Sequence, residues 1–383
     1  MYFVQRWLID RYVLWTFAKI VAAAFLTFSG LYVLIDAVNS LDELTNYAKT
    51  QPGGIARVLA NYYGPRLLDI FDQTAGLLAM LAAMLTLTIM QQSQELTALM
   101  AAGVSKMRVA MPLLCGALVI SGLGVANREL LLPRVREQLS FNAQDLSGRR
   151  GKSLAPHFDN HTGLMFSGSK AFHKTKRIDG AQVKLTPQFS AWGKKIQAAQ
   201  AQQFDRNEQH RAGYLFTGVT LPLDLATLAT VSFEDEPILL GPKDHPWLNA
   251  DECFVVSDVS FQQLTGNASF RRYLSTAELI AGLHNKSLNY GPDVKVTVHH
   301  RFVTPLLDLS LFVLGLPLVL GRKQRNIVVA GLVGAMVVAA YFAIMMSCHA
   351  AAGQYLLRPA LAAWLPLIIF GPASFALARP LWD

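Results

Sequence analysis

Charged residues are scarce in this chain of 383 residues: Asp, Glu, Lys and Arg make up only 16%, whereas 52% of the residues are hydrophobic. That balance excludes an ordinary soluble enzyme of this length, because soluble domains carry about 25% charged residues. Part of the chain must therefore lie in a bilayer. Crossing about 30 Å of hydrocarbon as a helix takes roughly 20 apolar residues.

The chain also lacks the usual marks of an enzyme. Its three cysteines are too scattered to indicate a disulfide framework. His157 and His161 stand four residues apart, but no glutamate follows the first histidine, as a zinc protease requires. Gly151-Lys152-Ser153 is similar to the end of a P-loop, yet position 146, where its first glycine would stand, is leucine. We therefore expect no catalytic residue, no metal and no cofactor.

The net charge of +8 could indicate a nucleic-acid partner, but its distribution argues against one. Between positions 128 and 298, the longest polar stretch, 20 Lys and Arg stand against 17 Asp and Glu. No basic stripe there is interleaved with aromatic side chains. The remaining excess lies at the flanks of apolar runs, so we expect no nucleic-acid binding.

Six apolar runs are long enough to span a bilayer as helices. Three precede the polar stretch and three follow it, at 20–38, 70–90, 109–126, 302–320, 327–348 and 359–378. With the N-terminus inside, four Lys and Arg fall on the short outer loops and nine on the inner side. The inner nine are Arg6, Arg11, Lys19, Lys106, Arg108, Arg322, Lys323, Arg325 and Arg379. The positive-inside rule then predicts that both termini are cytoplasmic and that the polar stretch lies outside.

The polar stretch is typical of a β-rich domain. Segments such as 164–172, 181–186, 213–223 and 253–261 are punctuated by Gly, Pro, Asn and Asp, which favours an antiparallel sandwich or jelly roll. Ser275 and Glu278 then form a predicted capping box at the start of a short helix. We predict an α-helical membrane protein with an inserted antiparallel β-jellyroll-like domain. Its parts are helices one to three (1–131), the β-domain (132–275) and helices four to six (276–383).

The loop between the second and third spans predicts an amphipathic helix at about 91–105. Ser93 can cap it with Glu95 in its first turn. Gly103 offers a left-handed stop, and Ser105 can cap the third span. The apolar positions at helical spacing are Leu96, Leu99, Met100 and Met107. Such a helix either joins two spans at the membrane surface or docks into a cytoplasmic partner and carries force to the spans.

The stretch from Glu95 to Arg108, ELTALMAAGVSKMR, resembles the E-L-x-x-x-x-A-x-G-x-(S/T) coupling segment of the lipopolysaccharide export permeases, the LptF/LptG family, also called YjgP/YjgQ. Other landmarks agree in order and spacing, and the resemblance covers essentially the whole chain. They are Asp10-Arg11-Tyr12, Ser29-Gly30 with Asp36, Arg301 before Pro305, and Trp364-Leu365-Pro366.

This resemblance implies a permease of the bacterial inner membrane that is not itself an enzyme. It would pair with a second LptF/LptG-type permease, bind a cytoplasmic ABC ATPase dimer and extract lipopolysaccharide or a similar glycolipid. The periplasmic β-domain would pass the lipid to single-span and soluble bridge proteins of jelly-roll fold. The residues implied to couple ATP hydrolysis to motion of the spans are Glu95, Leu96, Leu99, Met100, Gly103, Ser105 and Arg108.

Charged residues in or beside the spans are candidates for a lipid cavity. Some relatives carry a cation three residues before the aspartate that matches Asp36, but here that position is Val33. Arg66 or Arg301 could supply the positive charge, the lipid could be charged differently, or the chain could be the other permease of the pair. Asp308 is costly inside the fourth span, so it should face a cavity or pair with a polar group of a neighbouring span.

Two other functions fit a similar plan. A permease that releases lipoproteins usually has four spans, so a count of six argues against it. A membrane scaffold or binding protein without transport would not depend on the segment that begins at Glu95.

Overall fold

The computed structural model describes residues 2–49, 52–140, 151–207, 211–266, 268–288, 290–320 and 327–378. The chain divides into two compact units, Met1–Leu139 with Gly291–Asp383, and Ser140–Tyr290. Both divisions come later than the predicted boundaries after 131 and 275. Four basic residues on which the predicted orientation partly depends lie outside the described residues: Arg322, Lys323, Arg325 and Arg379.

The first part of the helical unit contains both long and short helices. They are α1 (Tyr2–Lys49), α2 (Gly54–Gln92), α3 (Glu95–Ala101), α4 (Lys106–Ala126) and, after a π-helical turn at Asn127–Leu131, α5 (Leu132–Ser140). With 48 residues, α1 is about 70 Å long at 1.5 Å per residue. Since the hydrocarbon is only about 30 Å thick, the ends of α1 must extend beyond it.

The second unit is an antiparallel β-domain. Its described strands form one nine-stranded sheet in the order β1-β2-β3-β5-β6-β9-β8-β7, with β4 paired to β2 and β5. The strands are β1 (Lys152–Phe158), β2 (Met165–Phe172), β3 (Arg177–Asp179), β4 (Gln182–Lys184), β5 (Lys195–Phe204), β6 (Gly213–Leu221), β7 (Val231–Phe233), β8 (Glu236–Leu240) and β9 (Cys253–Val256). Three short helices follow: α6 (Phe261–Thr265), α7 (Ala268–Arg272) and α8 (Thr276–His284).

The predicted antiparallel domain is confirmed, and the four segments singled out in the sequence contain β2, β4, β6 and β9. Large aromatic side chains form its core, among them Phe166, Trp192 and Tyr214, none more than 2% exposed. The hydroxyl of Tyr214 donates to Val259 O at 2.8 Å, so the ring is buried without an unpaired polar atom. The predicted capping box at Ser275 is also present and begins α8.

The first unit then resumes with α9 (Pro292–Leu320), α10 (Ile327–Gly353) and α11 (Pro359–Leu377). The central helix is α2, which contacts α1, α4, α9 and α10. Its inner face carries small residues such as Ala79, Ala82 and Ala83, all 3% exposed or less. Small residues let membrane helices approach closely, which suits a helix surrounded by four others.

Five helices of the described chain are long and apolar enough to cross a membrane: Leu8–Lys49, Gly54–Gln92, Lys106–Leu139, Leu332–Gly353 and Pro359–Leu377. They correspond to the first, second, third, fifth and sixth predicted spans. The fourth predicted span, 302–320, lies in α9 and is helical as expected. That α9 crosses the membrane stays a prediction.

Candidate functional site

The connection between α2 and α4 contains one short helix. α3 comprises only Glu95–Ala101, because the first two residues of the predicted 91–105 helix belong to α2. Ser93 does not cap α3. Its hydroxyl instead donates to Ile89 O at 3.0 Å, at the end of α2, and Gln94 precedes α3 in a left-handed conformation. The prediction for Ser93 is wrong because the preceding helix extends further than expected and takes up its hydroxyl.

The other two turn residues behave as predicted. Gly103 has φ +84°, a conformation that glycine adopts without the steric cost of a side chain, and it ends α3. Ser105 stands at the N-cap of α4, where its Oγ accepts from the backbone N of Arg108 at 3.4 Å. Both termini of the connection are therefore set by local sequence.

The two faces of α3 have different surroundings. Leu96 is 3% exposed and Leu99 packs against the core of the helical unit, so these two side chains anchor α3. Met100 does not share their face, because it is 41% exposed. We call the exposed side of the helix the outer face; it consists of Thr97, Ala98, Met100 and Ala101.

Both ends of the coupling-like segment contact the first helix. The hydroxyl of Tyr12 donates to the carboxylate of Glu95, at 2.9 Å from Oε2 and 3.1 Å from Oε1. Asp10, two residues before Tyr12 on α1, forms an ion pair with Arg108, with 2.7 Å between Oδ2 and Nη2. We call these two interactions the α1 contacts. The sequence showed Asp10 and Tyr12 only as landmarks, since nothing in it indicated their partners.

A second polar group joins α1 to the first half of α2. The hydroxyl of Tyr63 donates to Asp36 Oδ2 at 3.0 Å. The guanidinium of Arg66 lies 3.5 Å from the centre of the Tyr62 ring and donates to Tyr62 O at 2.7 Å. Tyr32 lies near both charges. The lipid-cavity candidates Asp36 and Arg66 therefore belong to one tyrosine-rich cluster.

The other two candidates lie among charged and polar residues of α2, α4, α9 and the π-helical turn after α4. Arg301 is 9% exposed, and its Nη1 is 3.7 Å from Glu129 Oε1. Arg128, next to Glu129, pairs with Asp72 at 2.8 Å. Asp308 accepts from the Ser121 hydroxyl at 3.4 Å, which provides the neighbouring polar group that one interpretation of this acid expects. The sequence shows residues of opposite charge near the ends of the predicted spans. That pattern is the signal from which the two ion pairs could have been predicted.

The helical unit carries two apolar cavities. One, of about 1340 Å³, is bounded by α1, α2 and α4 and extends from Arg11 past Phe17 to Phe25 and Phe71. The other, of about 410 Å³, lies among α4, α9 and α11. Surfaces of this kind suit acyl chains or apolar helices.

His157 and His161 have separate surroundings in the β-domain. His157 lines a cavity of about 360 Å³ with Arg271 and Tyr290, whereas the ring of His161 contacts Phe233. Burial lowers the pKa of His157, which favours its neutral form. No cluster of three His, Cys, Asp or Glu side chains that could hold a metal occurs among the described residues.

One comparison with known proteins identifies a family. A family model described as lipopolysaccharide export system permease LptF/LptG matches residues 11–380. No curated protein matches the chain. The matched range includes α2 to α11 entirely and α1 from Arg11 onward.

Proposed function

The chain belongs to the LptF/LptG family of lipopolysaccharide export permeases, non-catalytic membrane subunits of an ABC transporter, and we propose that α3 is its docking element for the ATPase. The partners proposed with this role are a cytoplasmic ATPase dimer, a second permease of the family and periplasmic bridge proteins. The protein would lie in the bacterial inner membrane with both termini in the cytoplasm and its β-domain in the periplasm.

The observation that carries the docking proposal is the division of α3 into two faces. Leu96 and Leu99 hold the helix on the membrane unit, while Met100 and Ala101 remain exposed on the outer face. The outer face therefore leaves an apolar surface available to a partner. Methionine adapts its shape to a partner surface, and small neighbours let that surface approach.

Introducing a long charged side chain into the outer face tests this proposal. The variant Ala101→Arg should lose the ATPase subunit on affinity purification of the complex in mild detergent, because the guanidinium would be forced into an apolar contact. Ala226→Arg, at an exposed position of the β-domain, is the matched control and should retain it. Equal recovery of the ATPase with both variants would contradict docking through α3.

We further propose that the cluster of Asp36, Tyr63 and Arg66 contacts the charged headgroup of the transported lipid. A guanidinium binds phosphate with two parallel hydrogen bonds, and its stacking on Tyr62 fixes the plane of the fork. Arg66→Gln should therefore lower lipid export from proteoliposomes more than Arg66→Lys does, since lysine keeps the charge. If both variants export as fast as the unmodified protein, the cluster does not bind the headgroup.

A further inference from the structure

Two interactions connect the first helix to the two ends of the coupling-like segment. Tyr12 contacts Glu95, the first residue of α3, and Asp10 contacts Arg108, in the first turn of α4. The segment between Glu95 and Arg108 is therefore held at its beginning and at its end by one turn of α1. Neither end can shift relative to α1 without breaking one of these contacts.

Further along α1, apolar side chains also pack against the helical unit. Val13 is fully buried and Phe17 is 2% exposed, so this face of α1 is packed within the helical unit. Gly116 of α4 lies so close that a Cβ there would come within 2.7 Å of the Phe17 ring. Movement of the start of α4 is thus transmitted to α1 by direct contact over several turns.

The side chains that form the α1 contacts are partly exposed, so these contacts can form and break. The side chains of Arg108 and Asp10 are 31% and 32% exposed, and Tyr12 is 49% exposed. Partly exposed ion pairs and hydrogen bonds contribute little to overall stability. Removing one is therefore expected to leave the fold intact while loosening the connection between α3 and α1.

We propose that Asp10 and Tyr12 are positioning residues for transport: they hold the Glu95–Arg108 segment against α1, so that displacement of α3 by the ATPase moves the first membrane helix. This inference rests on the proposed docking role of α3. It goes beyond that role because it names the helix that receives the motion and the side chains that deliver it.

The test uses the complete exporter reconstituted in proteoliposomes, with ATP hydrolysis and lipid export measured in parallel. Tyr12→Phe removes only a hydroxyl, and Asp10→Asn removes only a charge. Each should lower the amount of lipid exported per ATP hydrolysed by about two- to fivefold, the effect expected for loss of one partly exposed contact. The controls Tyr355→Phe, at an 80% exposed tyrosine, and Asp42→Asn, on the exposed surface of α1, should leave that ratio unchanged.

A charge exchange separates a specific contact from a general disturbance. Asp10→Arg combined with Arg108→Asp should recover most of the export per ATP that either single change loses. An unchanged ratio in Tyr12→Phe and Asp10→Asn, or no recovery in the exchanged pair, would overturn the inference. That failure is distinct from failure of the docking proposal, because recovery of the ATPase with Ala101→Arg is read from the purified complex without any export measurement.

Discussion

The close approach of α2 and α9 at Gly76 gives a prediction that the structure makes quantitative. A Cβ added at Gly76 would overlap the carboxylate of Asp308, the acid inside the fourth predicted span. The glycine is therefore required for Asp308 to take its place beside Ser121. Gly76→Ala should force the Asp308 side chain or the helix backbone to move.

The size of the effect is a balance of two terms. Replacing glycine by alanine inside a helix is favourable by about 1 kcal/mol. An added methyl group in a filled interior costs about 1–3 kcal/mol. Gly122→Ala is the matched control, because a Cβ at this position in α4 meets nothing within 4 Å. The Gly122→Ala variant gains the helix propensity of alanine without any steric overlap. The Gly76→Ala variant should therefore be less stable than Gly122→Ala by about 1–3 kcal/mol.

The stabilities can be compared by unfolding the purified protein in increasing dodecyl sulfate and following helical circular dichroism. Combining Gly76→Ala with Asp308→Ala removes the overlapping carboxylate, so the two changes should be non-additive by about 0.5–3 kcal/mol. Strictly additive effects, or equal stability of Gly76→Ala and Gly122→Ala, would refute the idea that Asp308 is held against the backbone of α2.

Two further predictions concern the β-domain. Burial makes Cys253 fully inaccessible and raises the pKa of its thiol, so in the folded full-length protein a water-soluble maleimide should label Leu223→Cys, at an 88% exposed position, and leave Cys253 unlabelled until denaturant is added. Labelling of Cys253 at the same rate would contradict its burial. Burial lowers the pKa of His157 below its unfolded value of about 6.5, so the unfolded domain binds the proton more readily and stability is lost as pH falls below that value. The protection factors of the β1 amides, which are exchange rates corrected for the intrinsic pH dependence of amide exchange, should fall between pH 7 and pH 5 in the full-length protein, and His157→Gln should reduce that fall; an identical pH dependence of the protection factors in the variant would exclude His157 as its source.

Features set by a few neighbouring residues could be predicted from the sequence. Ser105 and Ser275 cap their helices as expected, and Gly103 takes the left-handed conformation that ends α3. The capping prediction for Ser93 was wrong because neighbouring residues did not decide which helix its hydroxyl would join. Two helix ends compete for its hydroxyl, and the sequence does not show that α2 extends far enough to take it.

Features that depend on packing could not be predicted. Tyr12 and Glu95 are 83 positions apart, and Ser121 and Asp308 are 187 apart, so their contacts exist only once the helices are arranged. Strand β5, KIQAAQAQQF, was not singled out because alanine and glutamine replace the usual β-branched residues. Its alternation of buried Ile196 and Ala198 with more exposed neighbours becomes meaningful only between its partners.

The structure also distinguishes the two arginines that could replace the cation absent at Val33. Arg301 has a side chain only 7% exposed and lies 3.7 Å from Glu129. Because the Arg301 side chain is buried, it needs a compensating negative group, and a lipid phosphate would have to replace Glu129 in that role. Arg66 is only partly buried and rests on the face of Tyr62. Because Arg66 is less buried than Arg301, a headgroup can reach it more easily, which makes Arg66 the better candidate for lipid contact and favours a structural role for Arg301 in α9.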